Sequence, residues 1–258
     1  MLKQEIAAGP QYRIRTFRTG ECTILGRYSY RNYAKDCDHL FTLYVSIIQG
    51  DDITAVVDTG LESVPEMNRG AGFLMRELIT QQPGEDTVSI LKKAAVAGED
   101  VDYVILTHCH YDHCSLLSLF PNADVVIPER AWKLWHAQPE TANYLHKGFL
   151  DELETLNAAG RLILLDEGLV VPGIGVRWVG GHSPCSQFIY VNTAKGVAVF
   201  TGDTVQLYGN VEQNDVIGIW CDDAQCWRAL AIAQEEPDIL LPGHEPRILE
   251  KYPDGVVA

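Results

Sequence analysis

Six consecutive residues of this 258-residue chain, His108-Cys109-His110-Tyr111-Asp112-His113, carry three imidazoles and a carboxylate. Three later pieces each place one such group directly behind a glycine: Gly181-His182, Gly202-Asp203 and Gly243-His244. Together they supply five imidazoles and two carboxylates, the donor inventory that holds two divalent cations side by side with one carboxylate between them. Nitrogen and oxygen donors of this kind suit zinc, with iron, manganese and cobalt as alternatives. A water shared by two such ions ionises near neutral pH. The expected chemistry is therefore hydrolysis, by attack of a metal-bridging hydroxide on a carbonyl carbon. Esters, lactones, thioesters and amides all remain open as substrates.

Residues 108, 110 and 112 alternate, so in an extended loop leaving a strand their side chains point to one side. His113 follows at the turn into the next helix and points elsewhere, which gives one loop two ligand directions. The remaining histidines, His39, His136 and His146, have no such neighbours and are expected to be ordinary core or surface residues.

The elements that must position these groups are legible as apolar runs. Residues 40–48, 53–57, 101–107, 123–127, 162–165, 176–179, 188–192, 197–201 and 239–241 read as strands, and 12–30 as an extended aromatic segment. Helical spacing marks 85–97, with Gly98 as the C-terminal stop, and further helices are expected near 115–119, from 129, and from a cap at Asp222-Asp223 through 232. Residues 61–84, interrupted by Pro65, Gly70, Gly72, Pro83 and Gly84, read as a long loop with one short helix around 73–79. Each candidate ligand falls just after a strand. Strand-loop-helix units in both halves suggest two sheets packed together with helices outside, an α/β (α+β) chain. The motif pieces run from the first half almost to the end, so residues 1–258 are read as a single domain.

Composition narrows the partners. With 47% hydrophobic residues the chain can bury a substantial core. A formal net charge of -15 repels phosphate backbones and anionic membranes, so a small-molecule substrate is expected and neither nucleic acid nor membrane. The N-terminus breaks at Gly9-Pro10 before any apolar run long enough for a signal peptide, and no stretch approaches a membrane span. Seven scattered cysteines fit reduced thiols better than a disulfide framework. A cytoplasmic protein follows as the expectation.

His108-x-His110-x-Asp112-His113, with Gly181-His182-Ser-Pro, Thr201-Gly202-Asp203-Thr and Pro242-Gly243-His244, resembles the metallo-β-lactamase superfamily, and Val57-Asp58-Thr59-Gly60 is similar to its first motif. The resemblance implies that family's αββα sandwich, two mixed β-sheets flanked by helices. It further implies that His108, His110 and His182 hold one metal, that Asp112, His113 and His244 hold the other, and that Asp203 bridges them. Asp112 would also handle the proton or steer the nucleophile. Asp58 would orient a ligand histidine through its other ring nitrogen, the alternative being an ordinary turn-capping Asp. No cysteine stands where the periplasmic β-lactamases of the superfamily use one as a ligand, so antibiotic hydrolysis is not the expected role.

Within the superfamily the chain is most similar to the N-acyl homoserine lactonase group, which implies a quorum-quenching lactonase. One departure concerns the substrate: those lactonases typically place a Tyr three residues after the bridging Asp, where this chain has Gln206, with Tyr208 two further on. A glyoxalase II-like thioesterase is the first alternative, although such enzymes normally add a C-terminal helical domain and residues 245–258 alone follow His244. A redox member using iron is the second, although the diiron flavoproteins usually have Glu where His110 stands. Tyr28, Tyr30 and Tyr33, with Trp220 and Trp227, are candidates to wall a substrate pocket. Cys109, Cys114 and Cys185 lie beside ligand segments and read as small buried residues, with oxidation sensitivity as the sharper alternative. The 61–84 segment is read as a lid or as a homodimer contact.

Overall fold

The structure, a computed structural model, describes residues 1–33 and 37–258. Its first sheet contains β1 (Arg13–Ile24), β2 (His39–Gln49), β3 (Thr54–Val57), β4 (Met75–Thr80), β5 (Tyr103–Ile105), β6 (Asp124–Ile127) and β7 (Leu162–Leu164), in the order β4-β1-β2-β3-β5-β6-β7. The β4-β1-β2-β3 half is antiparallel and the β3-β5-β6-β7 half parallel. The second sheet contains β8 (Glu167–Val171), β9 (Ile174–Trp178), β10 (Gln187–Thr193), β11 (Gly196–Phe200) and β12 (Ile239–Leu241), in the order β12-β11-β10-β9-β8. It is antiparallel apart from the parallel β11-β12 pair.

Alternation along the strands explains the layers. Ile189, Val191, Ala198 and Phe200 point into the space between the sheets, where they meet Ile14, Ile48, Ala55, Val57, Ile105 and Val126 of the first sheet. Phe188, Tyr190, Val197 and Val199 point the other way, onto Leu2 and Ile6 of the helix Leu2–Ala7 and Ala229, Leu230 and Ala233 of the helix Asp223–Glu235. On the outer face of the first sheet Val45, Ile47, Val56, Val104, Val125 and Ile127 pack beneath Ile90, Leu91, Trp135, Phe149 and Leu153 of three further helices. Strands buried on both faces have no polar side to show, and for that reason they read as unbroken apolar runs. Two mixed sheets flanked by helices are the architecture expected from the sequence.

Several local expectations are corrected. Residues 61–84 are not a loop with a helix at 73–79: the helix is Val64–Ala71, a 3-10 turn covers Gly72–Leu74, and the residues expected to be helical form β4 instead. β1 offers an open edge there, and pairing with it outweighs local propensity. The helix start was marked in the sequence, since the Ser63 hydroxyl accepts the Glu66 N–H and Pro65 sits in the first turn. The helix Thr87–Ala94 stops at Ala95, which takes the left-handed conformation with φ 56°, and not at Gly98. Gly98 answers a different demand, because a Cβ there would lie 1.9 Å from the Leu119 carbonyl oxygen. The helix expected near 115–119 is a turn earlier, at Tyr111–Cys114, followed by a 3-10 turn at Leu117–Leu119. Asp112 and His113 therefore sit on helical backbone, not on an extended loop.

Candidate metal centre

β3 and β5 are parallel neighbours, and so are β11 and β12, so the segments leaving all four emerge at one end of the sandwich. Asp58 follows β3, His108 and His110 follow β5, Asp203 follows β11 and His244 follows β12. His182 arrives from the β9-β10 connection, and across the sheets the Gln187 N–H donates to the Thr107 carbonyl at 2.9 Å. The glycines before the donors are required by crowding. A Cβ on Gly202, whose φ is +48°, would lie 2.7 Å from Thr107 Cβ, and one on Gly243 would lie 2.5 Å from the Gly202 carbonyl oxygen.

Two donor clusters form. In the first, His108 Nε2 is 3.0 Å and His182 Nε2 2.9 Å from His110 Nδ1. In the second, His113 Nε2 lies 3.4 Å from Asp112 Oδ2, and His244 Nε2 lies 4.0 Å from the same oxygen. Asp203 stands between them. Its Oδ1 is 3.3 Å from His113 Nε2 and 2.9 Å from His244 Nε2, while its Oδ2 is 3.6 Å from His182 Nε2. Four donors at zinc bond lengths in a tetrahedron are roughly 3.3 Å apart, which is the scale of these spacings.

Outer contacts decide which ring nitrogens face the centre. Ionised carboxylates and carbonyls only accept, so Nδ1 carries the proton in His113 toward Asp58 Oδ2 (2.8 Å), in His182 toward the Ile219 carbonyl (3.2 Å) and in His244 toward the Thr42 carbonyl (3.2 Å). In the neutral ring each Nε2 then carries the lone pair, directed inward. Asp58 is itself clamped: Oδ1 accepts the Thr107 N–H at 2.7 Å and Oδ2 the Thr107 hydroxyl at 2.8 Å, on a backbone with φ 58°. The turn-capping alternative accounts for the first of these contacts but not for the contact to His113.

Electrostatics fit a cationic guest. Burial and the adjacent His182 push His110 down to about 3, and burial likewise lowers His108 and His182, so the first cluster is neutral imidazole. In the second, burial opposes charge on Asp203, but His244, His108 and His113 outweigh it and hold the carboxylate well below its usual range. Burial also opposes protonation of His113, yet Asp112, Asp58 and Asp203 outweigh it and raise it well above its ordinary value. His113 Nε2 and Asp203 Oδ1 are buried without a hydrogen-bond partner among the described residues. Two buried carboxylates, the 10% exposed side chain of Asp112, two orphaned donor atoms and no Lys or Arg among the described residues of the surrounding wall form a site that fits divalent cations.

The donors open into a cavity of about 540 Å³. Its walls are Cys22 and Ile24 of β1, Phe41 and Leu43 of β2, and Met67, Phe73, Leu74, Met75 and Ile79 from the 64–80 segment. Phe41 stacks on His244 with ring centroids 4.9 Å apart, and the Tyr144 ring meets His110 edge-on at 5.3 Å. Sequence reasoning missed both aromatics, and Tyr111, although Tyr111 lies inside the first motif. Of the expected substrate contacts, Tyr28 and Gln206 line the cavity. Tyr208 does not: its hydroxyl donates to the Leu240 carbonyl at 3.0 Å and Arg247 covers its ring. Tyr30, Tyr33, Trp220 and Trp227 are likewise absent from the wall. Tyr30 packs against His39, Arg31 lies over Trp220, and Tyr33 and Trp227 face solvent.

His39, His136 and His146 join neither donor cluster among the described residues. His136 pairs with Glu154 at the surface, and His146 lines the cavity wall. Cys109, Cys114 and Cys185 are fully buried beneath the ligand loops, where Cys185 Sγ accepts the Cys109 N–H at 3.2 Å. All seven cysteines are free thiols.

Fold and centre together define a helix-sheet-sheet-helix sandwich with a two-part histidine and carboxylate cluster at its strand ends. The sequence profile described as Metallo-beta-lactamase superfamily matches residues 41–244, and the chain belongs to that superfamily. An N-acyl homoserine lactonase of Bacillus cereus is 29% identical over 171 residues, a match covering 64% of this chain and 65% of that protein. The chain thus spans just under two thirds of the length of this relative. Metallo-beta-lactamase domain-containing protein 1 of Xenopus laevis is 26% identical over 203 residues, covering 78% of this chain and 70% of that protein. Among solved structures, an N-acyl homoserine lactone hydrolase with the product N-hexanoyl-L-homoserine bound at its catalytic metal center superposes with a TM-score of 0.75 at 19% identity, over 94% of this chain and 96% of that one. At that identity the likeness is one of fold.

Proposed function

We propose that this chain is a dinuclear metal-dependent hydrolase that opens a lactone or cleaves a small carboxylic ester, with N-acyl homoserine lactones the first class to assay. The observation that carries this reading is Asp203, whose two oxygens face two separate donor clusters. In this reading His108, His110 and His182 hold one ion, Asp112, His113 and His244 hold the other, Asp203 bridges, and Asp58 orients His113. Zinc is the proposed metal, with iron, manganese and cobalt as competitors. Two bound ions would supply Lewis-acid polarisation of a carbonyl and a water ionised near neutral pH.

The chain's own residues do the rest. Asp112, with its side chain 10% exposed at the cavity floor, takes the proton released by the attacking water and returns it to the alcohol oxygen as the ring opens. Tyr28 and Gln206 contact the polar part of the substrate, and Ile24, Phe41, Leu43 and Leu74 exclude water around its apolar part. Among the described residues the wall has no Lys or Arg to meet the carboxylates of an acyl-glutathione, which favours a neutral ester over the thioesterase alternative. The two sheets share one interior, which supports reading residues 1–258 as one domain, and seven free thiols support a cytoplasmic location. Phe73 and Leu78, 70% and 52% exposed, support a homodimer contact on the 64–80 segment.

The test is metal analysis and turnover on a panel of lactones, esters and acyl-glutathione thioesters, for the reconstituted protein and for Asp203→Ala. Two equivalents of metal and lactone or ester turnover are expected, with one equivalent and most of the rate lost in the variant. A preference for acyl-glutathione would establish the thioesterase, and one equivalent of iron the redox alternative. A variant that keeps both ions and its rate would remove Asp203 from the bridge.

A further inference from the structure

Beneath the first donor cluster lies a pair of thiols that the proposed hydrolysis does not use. Cys109 stands between His108 and His110 on the segment leaving β5, and Cys185 lies three residues after His182 in the β9-β10 connection. Both are fully buried, and their thiol groups are hydrogen-bonded to each other.

Cys185 Sγ is ringed by donors. It accepts the Cys109 N–H at 3.2 Å, and the hydroxyls of Ser183 and Tyr144 each lie 3.3 Å from it. Among the described residues the Tyr144 hydroxyl has no other acceptor, so its proton is directed at the sulfur. A neutral thiol is a weak acceptor, a poor match for several buried donors. An electron-rich sulfur, or a sulfur that has gained an oxygen, matches them well. These are the surroundings of a reactive thiol, not of a small apolar filler. Tyr144 also supplies the route in. Its ring lines the cavity, edge-on to His110 at 5.3 Å, while its hydroxyl reaches Cys185. A molecule as small as hydrogen peroxide, once inside the cavity, is one side chain from the sulfur.

We propose that Cys185 and Cys109 form an oxidation site that couples hydrogen peroxide to the metal centre, closing to a disulfide that draws the His108–His110 segment out of its ligating geometry. The Cys185 sulfur attacks one peroxide oxygen and the O–O bond breaks. Cys185 becomes a sulfenic acid, and the other oxygen leaves as water with the thiol proton. The Cys109 sulfur then attacks the Cys185 sulfur, the S–O bond breaks, and a second water leaves with the Cys109 proton. Each sulfur gives up one electron and the peroxide takes both. Closing the bond moves the sulfurs from hydrogen-bond contact to covalent contact. Cys109 cannot make that approach without its neighbours, the His108 and His110 whose ring nitrogens stand 3.0 Å apart. The release of metal rests on the hydrolase reading; the disulfide does not.

The test treats zinc-loaded protein with hydrogen peroxide and follows peptide mass, zinc released to a chromophoric chelator, and lactone turnover. A Cys109–Cys185 disulfide, zinc release and loss of rate should appear together, and dithiothreitol with added zinc should reverse all three. Cys185→Ala should slow zinc release by at least about tenfold, and Cys185→Ser, closer in size, carries the same expectation. Cys109→Ala should leave a sulfenic acid on Cys185 that dimedone traps. Cys114→Ala, which removes the third buried thiol of the region, should leave the disulfide in place. Absence of that disulfide from the peptide map, a disulfide that forms with zinc and rate retained, or zinc release unchanged in both Cys185 variants overturns the proposal. Failure of the hydrolase reading shows instead as no turnover before peroxide is added, whatever the peptide map records.

Discussion

Asp58 does not line the cavity above the donors, yet it fixes the tautomer of His113 through a 2.8 Å contact. Asp58→Asn is a clean probe, since Asn tolerates the left-handed backbone at φ 58° and still accepts from Thr107. Loss of the charge behind His113 should lower zinc affinity about 10- to 100-fold, read by competition with a chromophoric chelator. A change below about twofold would reduce Asp58 to a turn residue. Tyr208 makes the opposite case. Its hydroxyl serves the Leu240 carbonyl, so Tyr208→Phe should cost about 1 kcal/mol in urea unfolding and leave KM for lactones within about twofold. A large rise in KM would return Tyr208 to the substrate site. His108, His110, Asp112, His113, His182, Asp203 and His244, which the fold brings together, were all legible as candidate donors from type and spacing, because a donor set leaves its mark on residue identity. Phe41 and Tyr144 were not, because an aromatic in a wall and an aromatic in a core look alike in sequence.

The helix Val64–Ala71 contributes no buried residue, and β4 is an edge strand, so this part of the cavity wall has little core packing of its own. Asn68 ties the two together, donating from Nδ2 to the Ile79 carbonyl at 3.0 Å and accepting the Ile79 N–H at 2.9 Å. Asn68→Ala should speed hydrogen exchange across 64–80 and raise KM several-fold, with little change in kcat and in the melting of the sheets. Unchanged exchange would mean that β1-β4 pairing alone holds the wall. The same segment was the least legible in the sequence. Its strand exists because β1 has a free edge to pair with, and an edge more than 50 residues away in the chain, Ile24 pairing with Met75 and Glu21 with Thr80, leaves no local pattern at 73–79. Helices with their own caps fared better, and Asp222 accepts the Gln225 N–H as expected.

At the scale of the whole molecule, the buried Asp58 and Asp203 and the nearly buried Asp112 gather negative charge where the two sheets end, and the chain as a whole carries a formal net charge of -15. Bound cations would relieve that repulsion, so chelation should lower the melting temperature by several degrees. A free-metal concentration a thousandfold above Kd corresponds to about 4 kcal/mol of stabilisation. Equal melting with and without chelator would show that the cluster is not a metal centre. The unbroken apolar runs and the spaced histidines and aspartates were enough, from sequence alone, to suggest packed sheets and a candidate donor set for two cations, because burial on both strand faces and metal ligation each demand particular residue types, while the two-sheet sandwich itself came from the family resemblance that those motifs carry. Which oxygen of Asp203 faces which cluster, which way Tyr208 turns and how 64–80 closes the cavity depend on contacts between segments far apart in the chain. Only the packing of the two sheets, which brings four parallel strand ends to one place, decides them.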